Sequence, residues 1–151
     1  MSKLLNNILN KINDTKTLTV EVEKNGEKGY FEFNAYHNQQ QQLKISFVIS
    51  NFINKYQNQN LEKEIESEEY VKAYTSLLNI INENILSIKV NEKFLELSEE
   101  VEILQIDVTG EGFEEIKNFI FKDINFTTNL LSLYLVKINQ KKEMKEKIEK
   151  K

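Results

Sequence analysis

The chain has 151 residues and a formal net charge of −4, and its length suits one compact domain with a core built from the 40% of hydrophobic residues. It contains no cysteine, which excludes disulfides, thiolate catalysis and cysteine–zinc sites and fits a reducing, cytoplasmic location. No stretch approaches the ~20 apolar residues of a bilayer span, and the first residues lack a signal-peptide core, so we expect a soluble protein without a membrane partner.

The first third of the chain predicts a helix, a β-hairpin and a second helix. Apolar residues recur at helical spacing across residues 3–13 and form one stripe. Residues 17–24 and 30–36 alternate between apolar and polar side chains, and the stretch 25–29 between them holds two glycines, as a hairpin turn requires. Helical spacing returns over residues 43–56, and the four preceding glutamines are expected to form the first turn of that helix.

The middle of the chain leaves alternatives open. The polar residues 57–66 predict a loop or a hinge between two lobes, although no other feature marks a domain boundary. A further helix follows, with Ser67 as its N-cap. Residues 86–108 fit two structures: a second hairpin that turns at residues 91–93, or a short helix capped by Ser98.

The last part of the chain predicts a strand and two helices. Residues 106–108 suit a short strand, residues 109–112 break the chain, and residues 113–120 have the spacing of a short helix. A final helix begins near residue 127, and its charged end, residues 141–151, is expected to extend past the core. Together these elements predict a single-domain α+β fold, mainly helical, with one N-terminal hairpin, a second small β element and a long C-terminal helix.

The residue types of catalytic and metal sites are scarce. His37 is the only histidine, and no carboxylate is placed beside it by the sequence, so we expect a surface or capping role. Asp107, Glu111 and Glu114 cluster near two glycines, where acids are favoured at a helix N-terminus. The same segment lacks the lysine and hydroxyl residue of a phosphate-binding loop. We therefore predict no catalytic residues, no cofactor and no metal, and a protein that acts by binding another macromolecule.

Charge is distributed unevenly along the chain and indicates a protein partner. Residues 1–60 carry a net charge of +2, residues 61–123 carry −10, and residues 124–151 carry +4. All basic residues are lysine, and the absence of arginine argues against nucleic acid. The many aromatic residues serve either the core or a homo-oligomer interface. The candidate partner-binding residues are Met144, Ile148, Glu99, Glu100, Glu102, Glu114 and Glu115.

One segment resembles a known family. Residues 30–36, YFEFNAY, end the predicted hairpin, and residues 38–44, NQQQQLK, start the next helix. This order resembles the tail and baseplate assembly chaperones of tailed phages, where a similar strand leads into a helix of the pattern v-k-q-q-K-x-L, although the family's usual arginine and proline are missing. The resemblance implies a non-catalytic, virion-associated or tail-assembly protein from a phage or prophage. The alternative, which the acidic middle favours, is a small inhibitor or immunity-type protein that blocks a host or toxin protein.

Overall fold

The computed structural model of the chain describes residues 2–35, 37–56 and 68–149, with the backbone alone for residues 12–15 and 141–149. Its elements in chain order are α1 (Ser2–Lys16), β1 (Thr17–Lys24), β2 (Glu27–Asn34), α2 (Gln39–Tyr56), α3 (Glu68–Asn84), β3 (Ile85–Asn91), β4 (Ile103–Asp107), α4 (Phe113–Ile120) and α5 (Ile124–Glu149). The predicted α+β fold class, mainly helical with a small β part and a long last helix, is confirmed. The predicted hinge at 57–66 and the Ser67 cap lie outside the described residues.

The four described strands form one antiparallel sheet in the order β1-β2-β3-β4, so β1 and β4 lie at its two edges. The predicted N-terminal hairpin is present, but its turn has only two residues, Asn25 and Gly26, at φ 58° and 75°. This primed turn follows the right-handed twist of the strands, which favours Asn-Gly. The predicted turn over residues 25–29 is therefore wrong, because Gly29 lies within β2 and pairs with Val22.

The core lies between one face of the sheet and the helices. Phe31 of β2 is fully buried, and its ring centroid is 5.8 to 6.3 Å from those of Phe94, Phe121 and Phe126. Residues from both sides of the 57–67 interval contribute to one hydrophobic cluster. The fully buried large side chains outside the aromatic group are Ile49, Leu77, Ile81, Ile88, Leu130 and Leu131. The polar residues of the alternating strands face away from this core.

Two helices begin at side-chain caps. Asn38 Oδ1 accepts a bond of 2.8 Å from the backbone N–H of Gln41, and Gln41 Oε1 accepts one of 3.1 Å from the N–H of Asn38. This capping box confirms that the glutamine run forms the first turn of α2. The Asp123 carboxylate accepts a bond of 3.1 Å from the N–H of Phe126. Helix α5 therefore begins a turn before the predicted start near residue 127.

The region of residues 86–108 has neither of the two structures predicted for it. Strand β3 is followed by the long loop 92–102 and then by β4, so the hairpin turning at 91–93 and the helix capped by Ser98 are both wrong. A strand is present where one was predicted at 106–108, but it begins earlier, at Ile103, and ends at Asp107, so Val108 lies in the following turn.

The loop 92–102 is fixed to the fold by Asn91 and Phe94. Asn91 Oδ1 accepts a bond of 2.8 Å from the Phe94 N–H, and Asn91 Nδ2 donates to Glu27 Oε2 at 3.1 Å. The Phe94 ring is 1% exposed and lies over Gly29, where an added Cβ would be 2.7 Å from it. The buried Phe94 therefore lies against β2 at the point where the sequence predicted a short hairpin turn.

Candidate functional site

Strand β4 forms an edge of the sheet with exposed aliphatic side chains on both faces. Its outward side has no strand partner among the described residues. Alternate strand residues point to opposite faces, so Ile103 and Leu104 lie on opposite sides of the edge. The exposed aliphatic side chains of this region are Leu97, Val101, Ile103, Leu104 and Val108, and 46% to 59% of each is accessible. Sequence reasoning missed this surface. Apolar residues occur at both odd and even positions of residues 101–108, which is typical of a strand covered on both faces.

Acidic side chains border the same edge. Residues 94–116 contain eight acids and no lysine. Glu99, Glu100 and Glu102 are exposed and lie directly before β4, while Asp107 is exposed at its end. We call the five exposed aliphatic residues together with these four acids the acidic edge surface. A strand edge of this composition can bury apolar side chains of a partner while attracting its cationic groups.

The other predicted partner-binding residues lie elsewhere. Glu114 and Glu115 are exposed in the first turn of α4, beyond the far end of β4. Glu114 Oε2 accepts a bond of 2.7 Å from the buried ammonium of Lys117, so this carboxylate is already engaged. The structure thus brings together three of the five predicted acids. The side chains of Met144 and Ile148 lie outside the described residues.

The turn after β4 is organised by Asp107. Its Oδ1 accepts bonds from the hydroxyl of Thr109 at 2.7 Å and from the N–H of Thr109 at 3.0 Å. These bonds, the hydroxyl first, lower the pKa of Asp107 and favour its charged form. The Gly110 N–H donates to the Asp107 carbonyl at 2.9 Å, which closes the turn. A charged group therefore stands at a fixed position at the end of the acidic edge surface.

At the other end, the loop 92–102 contacts the β1–β2 turn. Asn25 Nδ2 donates to Glu96 Oε1 at 3.1 Å and to the Lys93 carbonyl at 3.3 Å. Glu96 has a φ of 63°, a left-handed conformation that costs a bulky residue roughly 1–2 kcal/mol. These bonds hold Glu96 in place beside an open depression of about 410 Å³. Its lining includes Leu97 and Glu99, so the depression continues the acidic edge surface.

His37 forms hydrogen bonds within the fold. Its Nε2 is 2.8 Å from the Tyr134 hydroxyl and 3.1 Å from the Asn34 carbonyl, to which the Tyr134 hydroxyl also donates at 2.5 Å. Burial lowers the pKa of His37, against the opposite effect of the Asn34 carbonyl, and burial raises the pKa of Tyr134. Both side chains are therefore neutral at pH 7. The half-buried imidazole joins the end of β2 to α5, so the predicted surface or capping role is wrong, and Asn38 is the residue that caps α2.

The described part of the chain was compared with the requirements of a metal site and of a membrane-spanning helix. No group of three or more histidine, aspartate or glutamate side chains there could hold a metal ion, and Asp107, Glu111 and Glu114 do not form one. None of its helices has the length and apolar character to cross a membrane. Comparison of the chain with protein-family models, with curated proteins and with solved structures found no match in any of the three.

Proposed function

We propose that this chain is a non-catalytic protein-binding component and that the acidic edge surface is where it contacts its partner. The observation that supports this is the exposure of aliphatic side chains on both faces of an edge strand whose outward side has no strand partner in the described part of the chain. Edge strands that serve no contact are usually protected by lysine, by proline or by a covering element. Contiguous exposed apolar residues rimmed by polar ones are typical of interaction sites.

The chemistry of the partner follows from the charge of this surface. Glu99, Glu100, Glu102 and Asp107 border the aliphatic residues, and the nearest lysines in the sequence are Lys93 and Lys117. Basic groups on a partner would be attracted at long range, and its apolar side chains would supply the contact area. We therefore expect a partner that presents lysine or arginine next to exposed apolar residues.

Two biological roles fit this surface. The resemblance of residues 30–44 implies a tail-assembly or virion-associated protein, which would bind another structural component during assembly. The location of three acids beside β4 favours the second role, a small acidic inhibitor or immunity-type protein that occupies the basic surface of a host or toxin protein. The identity of the captured partner separates these roles, because an inhibited enzyme or toxin loses activity when the chain is added.

The test is cross-linking of the full chain in extracts of its native host with a zero-length carbodiimide reagent. This reagent joins carboxylates to lysines, so it reports directly on an acidic surface that holds a basic partner. We expect cross-links from Glu99, Glu100 or Glu102 to a lysine of one reproducible partner, identified by mass spectrometry.

Two variants make this experiment decisive. The edge variant, Val101→Lys with Ile103→Lys, adds positive charge and removes apolar surface. The control variant, Leu43→Lys with Phe47→Lys, makes the same change on α2, where both side chains are exposed. We expect the edge variant to lose the partner and the control variant to keep it. Equal capture by both variants, or cross-links that avoid the acids beside β4, would show that another surface binds.

A further inference from the structure

A second exposed apolar surface lies on α1. Leu4, Leu5, Ile8 and Leu9 form the stripe predicted from the sequence, and 45% to 68% of each is accessible. Every described side chain of α1 is exposed, and the Ala35 N–H donates to the Lys16 carbonyl at 2.7 Å where the helix joins the sheet. An amphipathic helix of 15 residues with an uncovered stripe is marginal by itself, because tertiary packing normally supplies most of the stability of such a helix.

The charge of α1 is opposite to that of the acidic edge surface. Helix α1 contains three lysines and one aspartate. Lys11 follows Leu4 by seven residues, and Lys16 follows Leu9 by seven. Seven residues make about two helical turns, so both lysines lie on the same side as the apolar stripe. The helix therefore offers apolar side chains next to cations, which is the combination that the acidic edge surface requires.

The two surfaces are attached to opposite edges of the sheet. The residues from Leu4 to Lys16 span about 18 Å at ~1.5 Å per residue, and the five residues of β4 span about 14 Å at ~3.4 Å per residue. Helix α1 leads into β1, which is the edge strand opposite to β4. The helix is thus joined to one edge of the sheet while the acidic edge surface forms the other, which allows a head-to-tail contact.

We propose that a second copy of this chain covers the acidic edge surface with its α1 stripe. This inference rests on the proposed function of that surface as a protein contact, and it adds the identity of one occupant. The contact is heterologous, since the surface used by one copy differs from that used by its neighbour. Repetition of the contact produces a ring if the rotation closes and an open chain if it does not.

Self-association of the purified full chain is the first measurement. We expect the weight-average mass from sedimentation equilibrium to rise with protein concentration, and the association constant to fall as sodium chloride increases from 50 to 300 mM. A wild-type chain that is monomeric throughout overturns the inference. The proposed function is tested separately, because cross-links from the edge acids to a foreign protein do not require self-association.

Variants on each surface identify the contact. The stripe variant, Leu5→Glu with Ile8→Glu, and the edge variant defined above should each associate at least about ten-fold more weakly than wild type, because each loses apolar contact and gains like charge. A second stripe variant, Lys11→Glu with Lys16→Glu, keeps the apolar residues and should also weaken the contact. The control variant on α2 should associate as wild type does. Circular dichroism confirms that each variant is folded.

Mixing the two defective variants gives the decisive result. The stripe variant retains its acidic edge surface and the edge variant retains α1, so a 1:1 mixture should associate although neither variant does so alone. Dimers of the edge variant alone would indicate a contact between two α1 helices, and dimers of the stripe variant alone would indicate pairing of two edges. Either result overturns the head-to-tail contact, as does loss of association in the control variant.

Discussion

Replacing Gly29 with alanine tests whether Phe94 is held directly against the backbone of β2. An added Cβ would lie 2.7 Å from Cε2 and Cζ of Phe94 and 3.3 Å from Cε2 of Phe31. Non-bonded carbon atoms are normally separated by about 3.5–4.0 Å. The Phe94 ring is 1% exposed, so it must move roughly 1 Å within a packed core.

The expected size of the effect combines two opposed terms. Overpacking of a core typically costs about 1–3 kcal/mol, while alanine is favoured over glycine within a strand by roughly 0.5–1 kcal/mol. Gly29→Ala should therefore lower the free energy of unfolding by up to about 2.5 kcal/mol. Phe94→Leu removes Cε2 and Cζ, the two ring atoms that the new Cβ would contact. In the Phe94→Leu background the cost of overpacking disappears, and Gly29→Ala should stabilise the protein by up to about 1 kcal/mol.

The assay is urea unfolding followed by the helical circular dichroism signal, with the two single variants and the double variant compared under identical conditions. Gly26→Ala is the matched control, since it adds the same Cβ with no atom within 4 Å of it. Its cost comes from the φ of 75° and should be the same in the wild-type and Phe94→Leu backgrounds. Equal costs of Gly29→Ala in both backgrounds, within about 0.5 kcal/mol, would refute a direct contact between the new Cβ and the Phe94 ring.

Three further predictions concern buried polar groups, each measured by urea unfolding. Tyr134→Phe should cost about 0.5–1.5 kcal/mol, because the Asn34 carbonyl keeps its contact with His37; a cost above ~3 kcal/mol would contradict this. Because burial lowers the pKa of His37, protonation of this side chain favours unfolding. Wild type should therefore lose stability relative to His37→Gln as pH falls below about 6.5. Stability profiles of the two proteins that run parallel with pH would contradict this expectation. Lys117→Met removes a buried ammonium whose partner Glu114 is exposed, so stability should stay within about 1 kcal/mol of wild type; a larger loss would make this ion pair important for stability.

Local sequence signals were sufficient where the structure depends on neighbouring residues. The two glycines of the stretch 25–29 between alternating segments predicted the hairpin, and helical spacing predicted α1, α2 and α5. The predicted five-residue turn was wrong because Gly29 looks like a turn glycine in sequence. In the structure it makes room for Phe94, which lies 65 positions further along the chain. No local pattern reports such a contact, and the same contact explains why the loop 92–102 was misassigned.

The candidate site was predictable only in part, for a related reason. The excess of acids in residues 61–123 was visible in the sequence, and Glu99, Glu100 and Glu102 were named from it. Their position at a sheet edge depends on β3 being the one partner of β4 among the described strands, which requires knowledge of the strand order. The periodicity of α1 likewise predicted an apolar stripe, but a periodic pattern does not show whether the fold covers that stripe.

The acids beside β4 disfavour pairing between the β4 edges of two copies of the chain. This chain has 20 lysines, yet it places none within residues 94–116, and it has no proline. The two common means of blocking an edge strand are therefore missing from β4. Glu99, Glu100 and Glu102 provide another, since antiparallel pairing of two such edges would bring like charges together. The same glutamates repel an identical β4 edge and attract a cationic apolar surface. The edge therefore disfavours pairing with a second β4 edge and favours a surface such as α1.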